Sequence, residues 1–276
     1  MNALQINVRK LIQDKNPKLL KKLPGFVISY IERIVHEKEI NTFLAEHGHL
    51  KNFEFCDEVL HHLKINVQFR GIERIPKTGP VILVLNHPLG GVDGVAFISA
   101  MKSHRKDLVF LVNDLLLNMT PLKDLFVGVN KHGKNKADAR EKISAMFNSD
   151  QAICIFPAGL VSRKIKGKIQ DLEWKRTFAS YARTTGHPVI PIFIEGKLSN
   201  FFYRLHQFRT FVGIKSSIEM LYLADELFKQ QGKSIVFNVG NPIIIEADDP
   251  RNDQKIASDI KDLLYQIPHD NASHHS

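Results

Sequence analysis

Val81-Ile82-Leu83-Val84-Leu85-Asn86-His87-Pro88-Leu89-Gly90-Gly91-Val92-Asp93-Gly94 is the stretch that sets the fold class of the chain. Its first five residues are an unbroken apolar, β-favouring run, the pattern of a buried strand, and the run breaks at once into a polar, glycine-rich turn. Pro88 cannot continue a hydrogen-bonded ladder, and Gly90 and Gly91 permit a tight return. Reactive groups of α/β folds gather where strands end. The turn therefore places His87 and Asp93 where their side chains can meet across the loop.

Outward from this strand, further β-rich runs at 108–112, 152–156, 189–194 and 235–239 alternate with helical patterns at 137–148, 171–184, 216–231 and 253–267. The alternation predicts an α/β domain over residues 65–269, a mixed central sheet flanked by helices. Upstream, apolar residues step along one helix face (Phe26, Tyr30, Ile31, Ile34, then Cys56, Val59, Leu60, Leu63), which predicts an N-terminal helical lobe over residues 1–64. Residues 270–276 are polar and read as a flexible tail. Trp174, Phe178 and Tyr181 share a helical face and are expected in the core.

The 276 residues carry 38 Lys and Arg against 29 Asp and Glu, a formal charge of +9, which favours an anionic partner, either nucleic acid or a membrane surface. No aromatic-basic RNA motif appears, so nucleic acid is not expected. Cys56 and Cys154 stand alone and form neither a disulfide framework nor a metal site. The sequence has no secretory h-region at its start and no run of about eighteen apolar residues. A cytoplasmic protein, at most peripheral on the inner face of the membrane, is the expectation. Lys10, Lys15, Lys18, Lys21 and Lys22 beside Leu19, Leu20, Leu23 and Phe26 would dock it there. Despite 13 histidines, His36-Glu37-Lys38-Glu39-Ile40 fails the H-E-x-x-H pattern, and neither a G-x-S-x-G elbow nor a phosphate-binding glycine loop occurs. No metal and no cofactor are expected.

On the residues alone, two readings of the turn stand. In one, Asp93 holds one nitrogen of His87 and the imidazole abstracts a proton from a substrate hydroxyl. In the other, Asp93 caps the following helix and His87 is an ordinary loop histidine.

The order of blocks along the chain weighs toward the first. The Asn-His, spacer and Asp pattern resembles the glycerolipid acyltransferase family typified by lysophosphatidic acid acyltransferase, with five residues between His87 and Asp93 where the best-known members have four. Phe126-Val127-Gly128-Val129-Asn130-Lys131 resembles the family's acceptor-binding block, and Phe156-Pro157-Ala158-Gly159-Leu160-Val161-Ser162-Arg163 its Phe-Pro-Glu-Gly-Thr-x-Ser block. Pro188 to Gly196 resembles the final proline-bearing strand. The resemblance implies an O-acyltransferase that takes acyl-ACP or acyl-CoA as co-substrate and a lysophospholipid or lyso-aminolipid as acceptor. His87 would be the general base, oriented by Asp93, with Lys131, Gly159, Ser162 and Arg163 binding substrate and Arg163 the foremost anion ligand. Lys134, Lys136, Lys164, Lys166 and Lys168 would add to a phosphate cradle. Phe201, Phe202, Phe208 and Phe211 would either pack the core or line an acyl-chain cavity. Ala158, where better-known members carry Glu, points to an acceptor other than lysophosphatidic acid, such as an ornithine- or glycine-lipid precursor. The reading from another class is a basic, non-catalytic protein that binds membrane or nucleic acid.

Overall fold

The computed structural model describes residues 5–113, 116–129 and 136–267. Five helices precede the first strand: α1 (Val8–Lys15), α2 (Pro17–Lys22), α3 (Gly25–Ile34), α4 (Glu37–His47) and α5 (Asn52–His62). Asn7 and Asn16 cap α1 and α2 by accepting from Lys10 N and Leu19 N, and Pro17 opens α2 where no backbone donor is needed. There follow β1 (Asn66–Arg70), β2 (Val81–Leu85), α6 (Gly91–Met101), β3 (Leu108–Asn113), β4 (Phe126–Val129), α7 (Lys136–Phe147) and β5 (Ala152–Ile155). A hairpin of β6 (Arg163–Ile165) and β7 (Lys168–Gln170) leads to α8 (Thr177–Thr185) and β8 (Val189–Ile194). The described chain closes with α9 (Asn200–Phe211), α10 (Leu223–Phe228), β9 (Ser234–Val239) and α11 (Asp253–Leu264).

Among the described residues seven strands form one sheet in the order β1-β9-β8-β2-β5-β3-β4. Its pairs are parallel except for β8 with β9, so β1 and β9 run against the other five. This is the mixed α/β sheet expected. Strand β2 lies at its centre, and all five of its residues are fully buried because both faces are covered. Val81, Leu83 and Leu85 point into a core shared with α4, α5 and α6, through Phe43, Leu44, Phe55, Cys56 and Phe97. Ile82 and Val84 point the other way, into a core with Phe178 of α8 and Ile256, Ile260 and Leu264 of α11. Helices α4 and α5 thus share the sheet's own core, with about 1.5–3 kcal/mol of hydrophobic stabilisation for each fully buried large side chain.

Two expected helices are corrected. The segment expected to be helical over 171–184 turns helical only at Thr177, because the residues before it are pinned individually: Asp171 N–H donates to Tyr265 Oη at 2.7 Å, Trp174 Nε1 to Asp171 Oδ2 at 2.8 Å, and Lys175 N–H to Pro157 O at 3.1 Å. Trp174 and Phe178 are nevertheless core residues, as expected. The helix expected over 216–231 is a 3-10 turn (Ile218–Tyr222) followed by α10; the turn carries Glu219 into the interior. No helix among the described residues is long and apolar enough to cross a membrane.

Candidate active site

Strand β2 leaves the sheet within one residue, and Asn86 makes the exit. Its Oδ1 accepts from Ile194 N–H at 2.7 Å and its Nδ2 donates to Ile194 O at 3.1 Å, so a side-chain amide stands in for the next rung of the β2–β8 ladder. His87 follows, fixed through its own backbone on both sides. Its N–H donates to Asp171 Oδ1 at 3.1 Å, and its carbonyl accepts from Ser162 N–H at 2.8 Å. Gly90, at φ +76°, turns the chain into α6, and a Cβ there would also press on Leu223 at 3.3 Å.

Asp93 lies in the first turn of α6, where the helix's exposed N–H groups favour negative charge. Its Oδ2 accepts from the Leu89 N–H at 2.9 Å and meets His87 Nδ1 at 2.9 Å. The carboxylate therefore selects the tautomer with the proton on Nδ1 and leaves Nε2 as an acceptor. Asp93 is fully buried, whereas the His87 side chain is 19% exposed. Burial pushes the Asp93 carboxyl above its usual range; the hydrogen bond and charge of His87 and the Leu89 N–H pull the other way. Among the described residues Asp93 Oδ1 is buried with no hydrogen-bond partner, so the carboxylate's bonds are those that Oδ2 makes with the imidazole and the Leu89 N–H. The Phe156 ring covers one side of His87, its centroid 4.4 Å away.

His87 opens onto a cleft of about 240 Å³ at the carboxyl ends of the strands. Its walls are mainly apolar, with Leu111, Leu116, Ile143, Ile155 and Phe178, while Lys175 and Asn113 supply polar groups. The composition suits a flexible hydrocarbon segment with an anionic or polar group at one end. Gly159 belongs to this wall. It adopts φ +64°, and a Cβ there would come within 2.7 Å of the Lys175 ammonium, so the glycine both makes the turn and leaves room for the cation.

The other expected binding residues fall elsewhere. Lys131 and Lys134 lie outside the described residues. Ser162 and Arg163, expected on substrate, are turned into the protein instead. Ser162 Oγ donates to Asp171 Oδ1 at 2.5 Å. Arg163 is 2% exposed; its guanidinium pairs with the fully buried Glu219 at 3.2 Å, donates to Val161 O at 2.6 Å and lies over the Phe202 ring. A cation sealed by a buried carboxylate is not presented to a phosphate, so the expectation of Arg163 as anion ligand is corrected. Ala158 is also buried, packed in the core beneath the cleft. Of the Phe-rich run only Phe202 is core; Phe201, Phe208 and Phe211 are exposed, and none of the three lines the cleft. Among the described residues no group of three or more His, Cys, Asp or Glu is placed to hold a metal ion.

Three residues given no role from sequence shape the site: Asn86, Asp171 and Lys175. Asp171 is the junction, since its carboxylate takes the His87 N–H, the Ser162 hydroxyl and the Trp174 indole together. Asn86 stood next to the histidine in the motif, which was its only signal.

Residues 10–252 match the family model described as Acyltransferase. The lyso-glycine lipid O-acyltransferase of Bacteroides thetaiotaomicron is 41% identical over 264 residues, 95% of this chain and 97% of that protein. The enzyme of the same name from Phocaeicola vulgatus is 39% identical over 264 residues, 95% of each chain. Among solved structures, the 1-acyl-sn-glycerophosphate acyltransferase PlsC of Thermotoga maritima is similar with a TM-score of 0.49 at 17% identity, covering 96% of this chain and 98% of that one.

Proposed function

Because the chain belongs to the acyltransferase family, we propose that it moves a fatty acyl group from a thioester, acyl-ACP or acyl-CoA, onto the hydroxyl of a lysolipid, and that this lysolipid is a lyso-glycine lipid. The observation that carries the reading is the His87–Asp93 pair, 2.9 Å apart at the mouth of an apolar cleft.

In the reaction, His87 Nε2 takes the proton of the acceptor hydroxyl as its oxygen attacks the thioester carbonyl carbon. Asp93, accepting from Nδ1, stabilises the imidazolium that results. The carbon–sulfur bond then breaks, the sulfur leaves as a thiol with the proton from His87, and the ester remains on the acceptor. The activation resides in the thioester, so the step draws on no metal or redox group.

The support for an aminolipid acceptor is the two lyso-glycine lipid O-acyltransferases that share 41% and 39% identity with nearly the whole chain. Lys175 on the cleft wall is a cation placed to meet the carboxylate of an acylated glycine. The test offers purified protein lyso-glycine lipid and lysophosphatidic acid in competition, with acyl-ACP and acyl-CoA in separate arms, and reads the products by mass spectrometry. The glycine lipid is expected to be the preferred acceptor, with Lys175→Ala raising its KM more than it lowers kcat. Equal or faster acylation of lysophosphatidic acid would sink the acceptor assignment.

A further inference from the structure

Helix α9 buries Phe202 and Tyr203 yet keeps a second aromatic stripe outside. The side chains it turns toward the protein include His206 and Arg209, which converge with Arg163 on the fully buried carboxylate of Glu219: Arg163 at 3.2 Å, His206 at 3.2 Å and Arg209 Nε at 2.7 Å. The opposite stripe carries Phe201, Phe208 and Phe211, of which Phe208 is 61% and Phe211 90% exposed. A helix in water places its apolar stripe on the core and its charges outside. Here Phe202, Tyr203 and the ion pairs to Glu219 hold the helix down, and three further rings face out.

The apolar face continues beyond α9. The Tyr222 ring meets Phe201 edge-on at 4.9 Å, and the Tyr222 hydroxyl hydrogen-bonds the Tyr30 hydroxyl of α3 at 2.8 Å. One helical turn before Tyr30 stands Phe26, which is also exposed. From residue 196 to 218 the chain carries Lys197, Arg204, Arg209 and Lys215, and its sequence has no Asp or Glu. Arg204, within the phenylalanine stripe, and Lys215, just beyond it, are exposed.

We propose that this face, α9 with the turn that follows it and the adjoining end of α3, seats the protein on an anionic lipid bilayer. Rings protruding from a helix among long-stemmed cations match a bilayer interface: the rings enter the acyl region and the cations reach headgroup phosphates. An acidic protein partner is the other occupant that rings and cations would suit, and vesicle cosedimentation separates the two. The proposal adds to the functional reading the surface on which a lysolipid would be met, and its test requires no turnover.

The experiment is cosedimentation of the full chain with vesicles of phosphatidylglycerol and phosphatidylcholine, against vesicles of phosphatidylcholine alone. Phe208→Ser with Phe211→Ser should lower partitioning about tenfold or more. Because both side chains lie largely in water, the melting temperature should not move. Phe211→Ser alone, at a position with almost no packing, should lower partitioning severalfold and serves if the double variant is unstable. Arg204→Ser with Lys215→Ser should weaken binding at low salt, with the difference shrinking as salt rises. His87→Ala should bind as the unaltered protein does, so a wrong acceptor or mechanism would leave vesicle binding intact. Undiminished vesicle binding by the folded phenylalanine variants would overturn the proposal. So would loss of binding to acyl carrier protein in those variants while vesicle binding persists.

Discussion

Replacing Asp171 with Asn is the most informative single change, because it alters one atom and touches three anchors. Oδ1 of Asp171 accepts from the His87 N–H and the Ser162 hydroxyl, and Oδ2 accepts from the Trp174 indole. An amide has only one acceptor end. Oriented to keep the first two bonds, its NH₂ faces the Trp174 N–H, donor against donor; flipped, its NH₂ faces the His87 N–H, while the Ser162 hydroxyl can turn to accept. A lost bond to a charged acceptor and a buried donor left unpaired together amount to about 3 kcal/mol of stability in either case. His87 is then held by a neutral oxygen or released, and a displacement of the base of about 1 Å can lower the rate on the order of a hundredfold. Asp171 touches no substrate in this scheme and acts by positioning His87. The loss should therefore appear mainly in kcat, with KM for the acceptor little changed, alongside a lower urea midpoint. Trp174→Phe removes the indole donor, so its effect combined with Asp171→Asn should be smaller than the two effects added. An Asp171→Asn protein with unaltered kcat and unaltered urea midpoint would refute the reasoning.

His87→Ala should lower turnover on the order of 10²–10⁴-fold with little change in unfolding midpoint, and Asp93→Asn should come close to it, both read in a single-turnover assay alongside circular dichroism. Glu219→Gln should cost about 3–5 kcal/mol in chemical denaturation, since it leaves buried guanidinium charge uncompensated. Burial alone would raise the Glu219 carboxyl, but its own backbone N–H, Arg209, His206 and Arg163 outweigh burial and hold it below the usual carboxylate value. A carboxyl depressed in the folded state adds stability above its unfolded pKa, and that contribution is lost as pH falls through the folded pKa. The acid limb of the stability curve should therefore be shallower in Glu219→Gln; an unchanged limb would show that the network does not act through this charge.

What could be read from sequence was what is local. The β2 run, the Pro88 break and the two glycines specify strand, turn and helix within fourteen residues, and the structure brings His87 and Asp93 to 2.9 Å as that spacing predicts. The alternation of strands and helices gave the mixed sheet, because burial on both faces leaves a pattern in each strand. The misreadings at Arg163 and Asp171 are settled by partners far along the chain. Arg163 carried the signature of an anion ligand, yet its anion is Glu219, 56 residues on. Asp171 meets His87 across 84 residues, which no spacing reveals. The start of α8 was placed too early because Trp174 is buried by an indole–carboxylate bond rather than by a helical face. The phenylalanines of α9 share a core composition, but only Phe202 packs inward, beside Tyr203 and with His206 and Arg209 on Glu219, which leaves Phe201, Phe208 and Phe211 outside.

The reversal of direction between β8 and β9 bears on how the chain is made. Among the described residues strand β1 has one neighbour in the sheet, β9, and their paired residues Arg70 and Asn238 lie 168 positions apart. At ordinary synthesis rates β1 leaves the ribosome roughly ten to thirty seconds before its partner exists. During that interval its backbone donors and acceptors form an open edge able to pair with another nascent chain. The early helices α4 and α5, whose apolar faces await the same sheet, are exposed over the same interval. Folding yield in the cell should thus be governed by the arrival of β9, and nascent chains stalled before residue 234 should be the species that chaperones hold.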